Sequence, residues 1–363
     1  MKEENNKILI ATGGTGGHIF PSLTLADSLK AKNQVEIVTD KRGLRFLKNY
    51  DKINIRIINS GTIFGQNIFK TCIGIAKIIL SFLFSILAMI KSRPKLVIGM
   101  GGYASFPVCI ASYFLRIPLI LYENNLIIGR ANKFILPFAK KIFVSNKEIM
   151  GIKPKFNKKV LHIGYLIRNN ILSIKKEKIH EEEKKILSIL IIGGSQSAKI
   201  FGEILPNIIT KCSQSNIKFK IYQQCLDDQI KEIKKIYEKS ELEFELFSFS
   251  GDLSKYYKVA DLAITRSGAS SLAELVNLQI PFIAIPLPSS VDNHQFYNAN
   301  YFKEKGYCFL LEEKFLSDKL FETLKNLNND QKKLFIMKEK MKEHSDKNTL
   351  YKFEKLIEKT LYE

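Results

Sequence analysis

Short apolar runs alternate along this chain with longer segments in which apolar residues recur at helical spacing. Each run predicts a strand, and continuous rather than alternating hydrophobicity is typical of parallel sheets with helices on both faces. After Asp318 the pattern is helical and highly charged. The chain is therefore predicted to be an α/β protein with doubly wound sheets. The predicted strands are Lys7–Ala11, Gln34–Thr39, Ile53–Ile58, Leu96–Gly99, Leu119–Tyr122, Lys141–Val144, Ile186–Ile192, Phe219–Gln223, Phe244–Phe249, Leu262–Thr265 and Phe282–Ile285.

The strand pattern restarts at residue 186 in a chain of 363 residues, which predicts two domains. Residues 175–185 are densely charged and are interpreted as a solvated connector. We expect a first domain at residues 1–167, joined by a C-terminal helix at about 345–363. A second domain is expected at 168–344.

Three glycine turns each follow an apolar run, at residues 13–18, 99–103 and 193–197. Such turns bring backbone N–H groups and a helix N-terminus close to a ligand, and they favour anionic or oxygen-rich groups. The third turn suits a diphosphate, although an ordinary strand-to-helix turn explains it equally well. His18 is the ionisable residue of the first turn and a candidate proton acceptor, since an unperturbed imidazole has a pKa of about 6.5. An isolated histidine after glycines is more often only a polar residue of the turn.

Other candidate residues follow predicted strands. Glu274 lies in the first turns of a helix, where a carboxylate can bind ribose hydroxyls or simply be favoured by the helix dipole. Asp292 with Gln295 forms a potential capping box, in a stretch that also suits sugar hydroxyls. Glu123 and Arg168 offer charged groups at strand ends.

The net charge is +20, and abundant Lys beside Ile leaves open a compositional bias with no binding role. If the net charge has a function, the favoured binding partner is an anionic membrane surface. Nucleic acid is not expected, because the lysines are spread rather than interleaved with aromatic residues. Five scattered cysteines without a CxxC pair argue against zinc and disulfides, and the polar N-terminus predicts no signal peptide.

Residues 71–90 are nearly long enough to span a bilayer. A crossing here would separate the first two glycine turns, so we expect a helix with one face on the core and the other dipping Phe82 or Phe84 into lipid. A wholly buried helix is the alternative.

Four motifs together resemble the MurG family of glycosyltransferases over nearly the whole chain. They are Gly13–His18 with Pro21, Gly99–Tyr103 with Ser105 and Pro107, Gly193–Gln196, and Arg266–Ala269 with Glu274. The resemblance implies a GT-B fold, with two Rossmann-like domains facing a central cleft, and it implies neither a cofactor nor a metal. It further implies inverting transfer of N-acetylglucosamine from UDP-N-acetylglucosamine to undecaprenyl-diphospho-muramoylpentapeptide. This reaction belongs to peptidoglycan precursor synthesis at the cytoplasmic face of the bacterial plasma membrane.

The resemblance also implies roles for individual residues. His18 is expected to be the catalytic base, with Glu123 as the second choice. Donor-side residues are Ser195 at a phosphate, Ser250 through its backbone at the uracil, Glu274 at the ribose, and Gln295 and Asn298 at the sugar, together with Gln196, Ala269, Ser270 and His294. Acceptor-side residues are Thr15, Gly16, Gly17, Tyr103 and Asn125, and Arg168 is expected to approach the donor from the domain junction.

The chain departs from the family pattern at several positions. These are Tyr122 for His, Asn124 for Gln, Tyr165 and Leu166 for Asn and Pro, Ser197 for Gly, and His294 for Gln. Three alternatives remain open from the sequence: a diacylglycerol glycosyltransferase, a UDP-sugar 2-epimerase of the same architecture, and a membrane-surface binder without activity.

Overall fold

A computed structural model describes residues 6–47, 50, 53–59, 68–174, 186–250 and 252–362, without the side chains of 68–72 and 195–198. The chain divides into two compact units. Unit 1 comprises Met1–Arg168 and Asp346–Glu363, and unit 2 comprises Asn169–Ser345. The predicted connector at 175–185 lies outside the described residues.

Unit 1 contains a sheet of seven parallel strands in the order β3-β2-β1-β4-β5-β6-β7. The reversal of strand order between β1 and β4 is the point where doubly wound sheets bind ligands, at the carboxyl ends of the strands. The strands are β1 Lys7–Ala11, β2 Gln34–Thr39, β3 Asn54–Ile57, β4 Leu96–Gly99, β5 Leu119–Glu123, β6 Lys141–Val144 and β7 Val160–His162. The helices are α1 Gly16–Leu29, α2 Lys41–Leu44, α3 Ile68–Ser92, α4 Ser105–Phe114, α5 Arg130–Ile135 and, from the end of the chain, α14 Thr349–Tyr362.

Successive residues of the unit 1 strands enter hydrophobic cores on opposite faces of the sheet. Ile8 and Ile10 join one core, while Leu9 and Ala11 join the other. Both faces are apolar because helices cover both. The first core includes Phe353 of α14, whose ring lies 4.9 Å from that of Phe143.

Unit 2 repeats the arrangement with six parallel strands in the order β10-β9-β8-β11-β12-β13. Its reversal point lies between β8 and β11. The strands are β8 Leu187–Ile192, β9 Phe219–Gln224, β10 Glu243–Phe247, β11 Leu262–Arg266, β12 Phe282–Ile285 and β13 Cys308–Leu310. The helices are α6 Asn169–Leu172, α7 Gly194–Gln214, α8 Ile230–Lys239, α9 Ser254–Val259, α10 Ala269–Asn277, α11 His294–Glu304, α12 Leu316–Asn329 and α13 Lys332–Met341.

The predicted α/β class and doubly wound topology are confirmed, and all eleven predicted strands are present with small shifts at their ends. Within the described residues two strands were missed, β7 and β13, which are the last strands at one edge of each sheet. Each has only three residues. Strands this short carry too little pattern to be separated from loops.

The alternative of a wholly buried helix at residues 71–90 is wrong. Helix α3 buries Ser81, Ser85 and Met89 but leaves a continuous apolar face in solvent. Within that face Phe84 is 66% exposed and Leu87 64%. By length and composition alone, Ile73–Ser92 is the one membrane-span candidate in the described part of the chain.

Candidate active site

Three segments of unit 1 meet at the carboxyl edge of its sheet, and we call them the glycine-turn cluster: residues 13–18, 99–104 and 123–132. A Cβ added to Gly13 would lie 2.5 Å from the Cβ of Ala104, and one added to Gly102 would collide with the carbonyl of Gly13. The side chain of Asn124 donates a hydrogen bond to the carbonyl of Gly17 at 2.8 Å. The glycines therefore permit a close approach of backbone segments that larger residues would prevent.

His18 lies in the first turn of α1, which begins after the N-cap residue Thr15. Its imidazole packs on the second glycine turn, because a Cβ at Gly101 would lie 2.9 Å from Cε1 and 3.0 Å from Nδ1. Gly101 has a φ of +87°, a backbone conformation that residues other than glycine rarely adopt. The imidazole thus lies against the backbone of Gly101 and near the electropositive end of a helix.

Both carboxylate oxygens of Glu123 are occupied by hydrogen-bond donors within its own loop. Oε1 accepts from the backbone N–H and the side-chain amide of Asn125, both at 3.0 Å. Oε2 accepts from the N–H of Gly129 at 2.8 Å and from the side-chain amide of Asn132 at 2.9 Å. Since each oxygen has two lone-pair positions, all four are filled. The contacts therefore favour a role in holding the loop over the expected second-choice base.

The structure brings together the acceptor-side residues expected from sequence. Thr15, Gly16, Gly17 and Tyr103 belong to the two glycine turns, and Asn125 belongs to the loop anchored by Glu123. Sequence reasoning missed Asn132, whose buried side chain donates to both Tyr122 O and Glu123 Oε2. Its oxygen Oδ1 is buried without a hydrogen-bond partner. No local signal marked it, because Asn132 is one polar position within a short helix.

Arg168 is the last residue of unit 1 before α6. Its guanidinium lies 4.9 Å from the ring centroid of Phe20, on α1 two residues after His18. This cation–π contact holds a positive charge next to the helix that carries His18.

In unit 2, the third glycine turn opens helix α7. Gly194 has a φ of +70°, with open space where a Cβ would be, and its N–H donates to the side chain of Gln224 at 3.2 Å. Residues 195 and 196 lie in the first turn of α7, while their side chains are outside the described part of the structure. The turn combines open space beside Gly194 with a helix N-terminus, which suits a phosphate group.

A second polar cluster lies where β11 ends. Oε1 of Gln295 accepts from the N–H groups of Ser267 at 3.2 Å and Leu287 at 2.9 Å. The side chain of Asn298 donates to Ser267 O at 3.3 Å. These contacts bring together two residues that the sequence placed on the sugar.

The capping box expected from Asp292 and Gln295 is wrong. Helix α11 begins at His294 after the N-cap Asn293, with no side-chain capping bond. Asp292 and Asn293 both have left-handed backbone, with φ of 51° and 55°. Gln295 is directed instead to Ser267 and Leu287, since tertiary donors outcompete the local capping partner.

Glu274 and Arg266 are charged groups held by neighbouring side chains. Oε2 of Glu274 accepts from the hydroxyl of Tyr257 at 2.9 Å, and both residues are buried. Arg266 pairs with Glu313 and packs over the ring of Phe201 at 4.8 Å. Arg266 lay within a recognised motif but was not predicted as a site residue.

The remaining donor-side candidates lie at the starts of α10 and α11 and in the loop before α9. Ala269 and Ser270 open helix α10 after its N-cap Gly268. Nδ1 of His294 lies 2.8 Å from Val291 O. The hydroxyl of Ser250 donates to Asp252 O at 2.7 Å, within its own loop. Among the described residues, no group of three or more His, Cys, Asp or Glu side chains could hold a metal ion.

Two doubly wound units, one with a histidine at a helix N-terminus and one with a glycine turn suited to a phosphate, fit the architecture of the GT-B class of glycosyltransferases. Comparison with protein families supports this class. The glycosyltransferase family 28 N-terminal domain matches residues 8–144, and the family 28 C-terminal domain matches residues 188–356.

Individual relatives narrow the class to one family. A Pelagibacter ubique protein is 37% identical over 95% of this chain and 96% of its own length, and a Rickettsia felis protein is 35% identical over 88% and 91%. Both are named UDP-N-acetylglucosamine–N-acetylmuramyl-(pentapeptide) pyrophosphoryl-undecaprenol N-acetylglucosamine transferase. The crystal structure of MurG from Acinetobacter baumannii superposes with a TM-score of 0.79 at 25% identity, covering 98% of this chain and 100% of that one. The chain belongs to the MurG family.

Proposed function

We propose that this chain transfers N-acetylglucosamine from UDP-N-acetylglucosamine to the muramoyl 4-hydroxyl of undecaprenyl-diphospho-muramoylpentapeptide, with inversion at the sugar carbon. The observation that carries the proposal is the glycine-turn cluster, in which the imidazole of His18 packs on Gly101 at a helix N-terminus. The names of the two relatives and the family 28 match of this chain support the same reaction. The product is a lipid-linked disaccharide, a precursor of peptidoglycan.

The proposed mechanism is a direct displacement. The acceptor hydroxyl attacks C1 of the donor sugar, His18 takes its proton, and UDP leaves. Glu123, with its oxygens filled by donors, holds the loop that carries Asn125 toward the acceptor. The negative charge that grows on the leaving diphosphate is stabilised by the N-terminus of α7 and by Arg168.

The donor is proposed to bind unit 2. Ser195 and Gln196 contact the phosphates at the start of α7, and Glu274, oriented by Tyr257, accepts hydrogen bonds from the ribose hydroxyls. Ser250 meets the uracil through its backbone. The sugar contacts are assigned to His294, Gln295 and Asn298, and the start of α10 contributes Ala269 and Ser270.

An anionic membrane surface is proposed as a partner of unit 1, at the cytoplasmic face of the plasma membrane. The exposed face of α3 continues into aromatic residues of α4, since the rings of Phe82 and Phe114 lie 5.5 Å apart. Lys91 and Arg93 are exposed at the end of the helix. Apolar side chains flanked by basic ones are typical of a surface that enters the lipid interface without spanning the bilayer.

The proposed reaction is tested by incubating the protein with radiolabelled UDP-N-acetylglucosamine, with and without the undecaprenyl-linked acceptor. Label should enter the lipid fraction only when the acceptor is present. Transfer to diacylglycerol would identify a glycolipid synthase, and free epimerised sugar would identify a 2-epimerase. Tight UDP-sugar binding with no turnover would indicate a binder. The variant His18→Ala should abolish transfer and keep UDP binding, and normal turnover would refute the assignment of the base.

The membrane proposal is tested by flotation with vesicles of phosphatidylglycerol or of phosphatidylcholine. The wild-type protein should float with the anionic vesicles, and Phe84→Ser with Leu87→Ser should reduce binding at least fivefold. Phe335→Ser is the matched control, because Phe335 is a 45% exposed apolar residue of unit 2. Equal losses in both variants would contradict the assignment of this face.

A further inference from the structure

Tyr122 is a buried tyrosine whose hydroxyl contacts the backbone of a distant segment. It is 2% exposed, and it immediately precedes Glu123 in β5. The hydroxyl donates to Gly164 O at 3.2 Å and accepts from the N–H of Leu166 at 3.1 Å. Burial raises the pKa of this phenol well above its ordinary value, so it stays protonated and keeps donating.

The segment that Tyr122 contacts, residues 163–168, ends at Arg168. From the side of α14 it is held by two further bonds. Thr349 Oγ1 donates to Ile163 O at 3.1 Å, and the N–H of Tyr165 donates to Asp346 Oδ1 at 2.9 Å. Gly164, with a φ of +105°, leaves no room for a Cβ beside Thr349. The 163–168 segment is therefore clamped between Tyr122 and the chain around Thr349.

Tyr122 is also tied to the glycine-turn cluster through its own backbone. Its carbonyl accepts from the side chain of Asn132 at 3.0 Å, and that same side chain donates to Glu123. One residue thus links the loop held by Glu123 to the segment that places the Arg168 guanidinium over Phe20. A phenylalanine would fill the same volume, so the hydroxyl has a role beyond packing.

We propose that Tyr122 is a positioning residue, whose hydroxyl fixes the 163–168 segment and thereby the guanidinium of Arg168 where it meets the diphosphate of UDP and of the donor. The inference rests on the proposed function, in which Arg168 binds that diphosphate. Without the hydroxyl, Gly164 O and the N–H of Leu166 lose a buried partner, and the segment can move to find others. If Arg168 moved, UDP binding would weaken. The chemical step, in which UDP leaves the donor sugar, would slow.

The test is a double-mutant cycle of Tyr122→Phe and Arg168→Ala, measured by calorimetric titration with UDP. Arg168→Ala should weaken UDP binding at least tenfold. Tyr122→Phe should weaken it about fivefold in the wild-type background and less than 1.5-fold beside Arg168→Ala. The same loss in both backgrounds, or no loss in either, would overturn the inference, because a merely structural residue acts independently of Arg168.

A second variant tests the same segment in case Tyr122→Phe fails to fold. Thr349→Val removes the bond to Ile163 O on the other side of the segment, and it should weaken UDP binding two- to threefold, again only when Arg168 is present. An equal loss beside Arg168→Ala would overturn the inference. Tyr237→Phe is the matched control, since it deletes a buried hydroxyl bonded to Gln223 in unit 2. It should change UDP affinity less than 1.5-fold.

Transfer activity separates this inference from the proposed function. In Tyr122→Phe, kcat should fall at least tenfold and the KM for the lipid-linked acceptor should stay within threefold. If the wild-type protein binds UDP without transferring sugar, the proposed function fails while the UDP cycle still decides the role of Tyr122. If the wild-type protein does not bind UDP, both fail.

Discussion

The substitution Glu123→Gln tests whether this carboxylate holds its loop or accepts a proton. Four donors surround the carboxylate, two on each oxygen, at 2.8 to 3.0 Å. The amide keeps one oxygen and turns an NH₂ group toward two of those donors. Glu123 is 1% exposed, so water cannot replace the lost bonds without opening the loop.

The magnitude follows from the number of bonds. Two charge-assisted hydrogen bonds at about 1.5–3 kcal/mol each give a loss of roughly 3–6 kcal/mol in the free energy of unfolding. For a unit of this size, that corresponds to a fall in Tm of roughly 6–24 °C. The assay is thermal unfolding followed by circular dichroism, because the chain contains no tryptophan.

The control is Glu232→Gln, which makes the same chemical change on an exposed position of α8. Its free energy of unfolding should change by less than about 0.5 kcal/mol. Residual transfer by Glu123→Gln should remain measurable, since His18 remains. A variant with unchanged Tm and no activity would refute the positioning role and make Glu123 the base.

Three further predictions concern unit 1. Phe353→Ala should lower its stability by about 3–5 kcal/mol in denaturant titration, because the ring is fully buried; a loss under 1 kcal/mol would contradict the packing of α14. Glu36→Ala should cost about 3 kcal/mol by the same measurement, since it leaves Lys7 and Arg56 without their buried carboxylate, while Glu36→Leu should cost less. Burial lowers the pKa of His162, so the unfolded chain binds its proton more readily and stability falls as pH drops below about 6.5. His162→Gln should reduce this loss of stability at low pH. An unchanged dependence of stability on pH would contradict the role assigned to His162.

Much of the fold followed from the sequence because parallel strands buried on both faces leave continuous apolar runs. Glycine turns are equally visible, since the backbone geometry at Gly14 or Gly101 requires glycine whatever surrounds it. The two edge strands were missed because three residues carry little pattern. Their pairing with β6 and β12 is a tertiary event.

The candidate site was likewise predicted only in part. Sequence motifs pointed to His18, Glu123 and Gln295, whereas the folded chain decided which groups these side chains contact. Glu123 is surrounded by donors from its own loop, and Gln295 turns from a local cap to the N–H groups at the ends of β11 and β12. A buried acceptor takes the donors nearest in space, which local spacing does not reveal.

The sequence by itself determined eleven of the strands, the three glycine turns and the doubly wound class, because periodicity and glycine geometry are local properties. Tertiary structure decided the rest. It left one face of α3 in solvent, filled the lone pairs of Glu123, and set the hydroxyl of Tyr122 between Gly164 and Leu166. Those outcomes depend on how the whole chain packs, and burial makes each polar group find its partner in the folded structure.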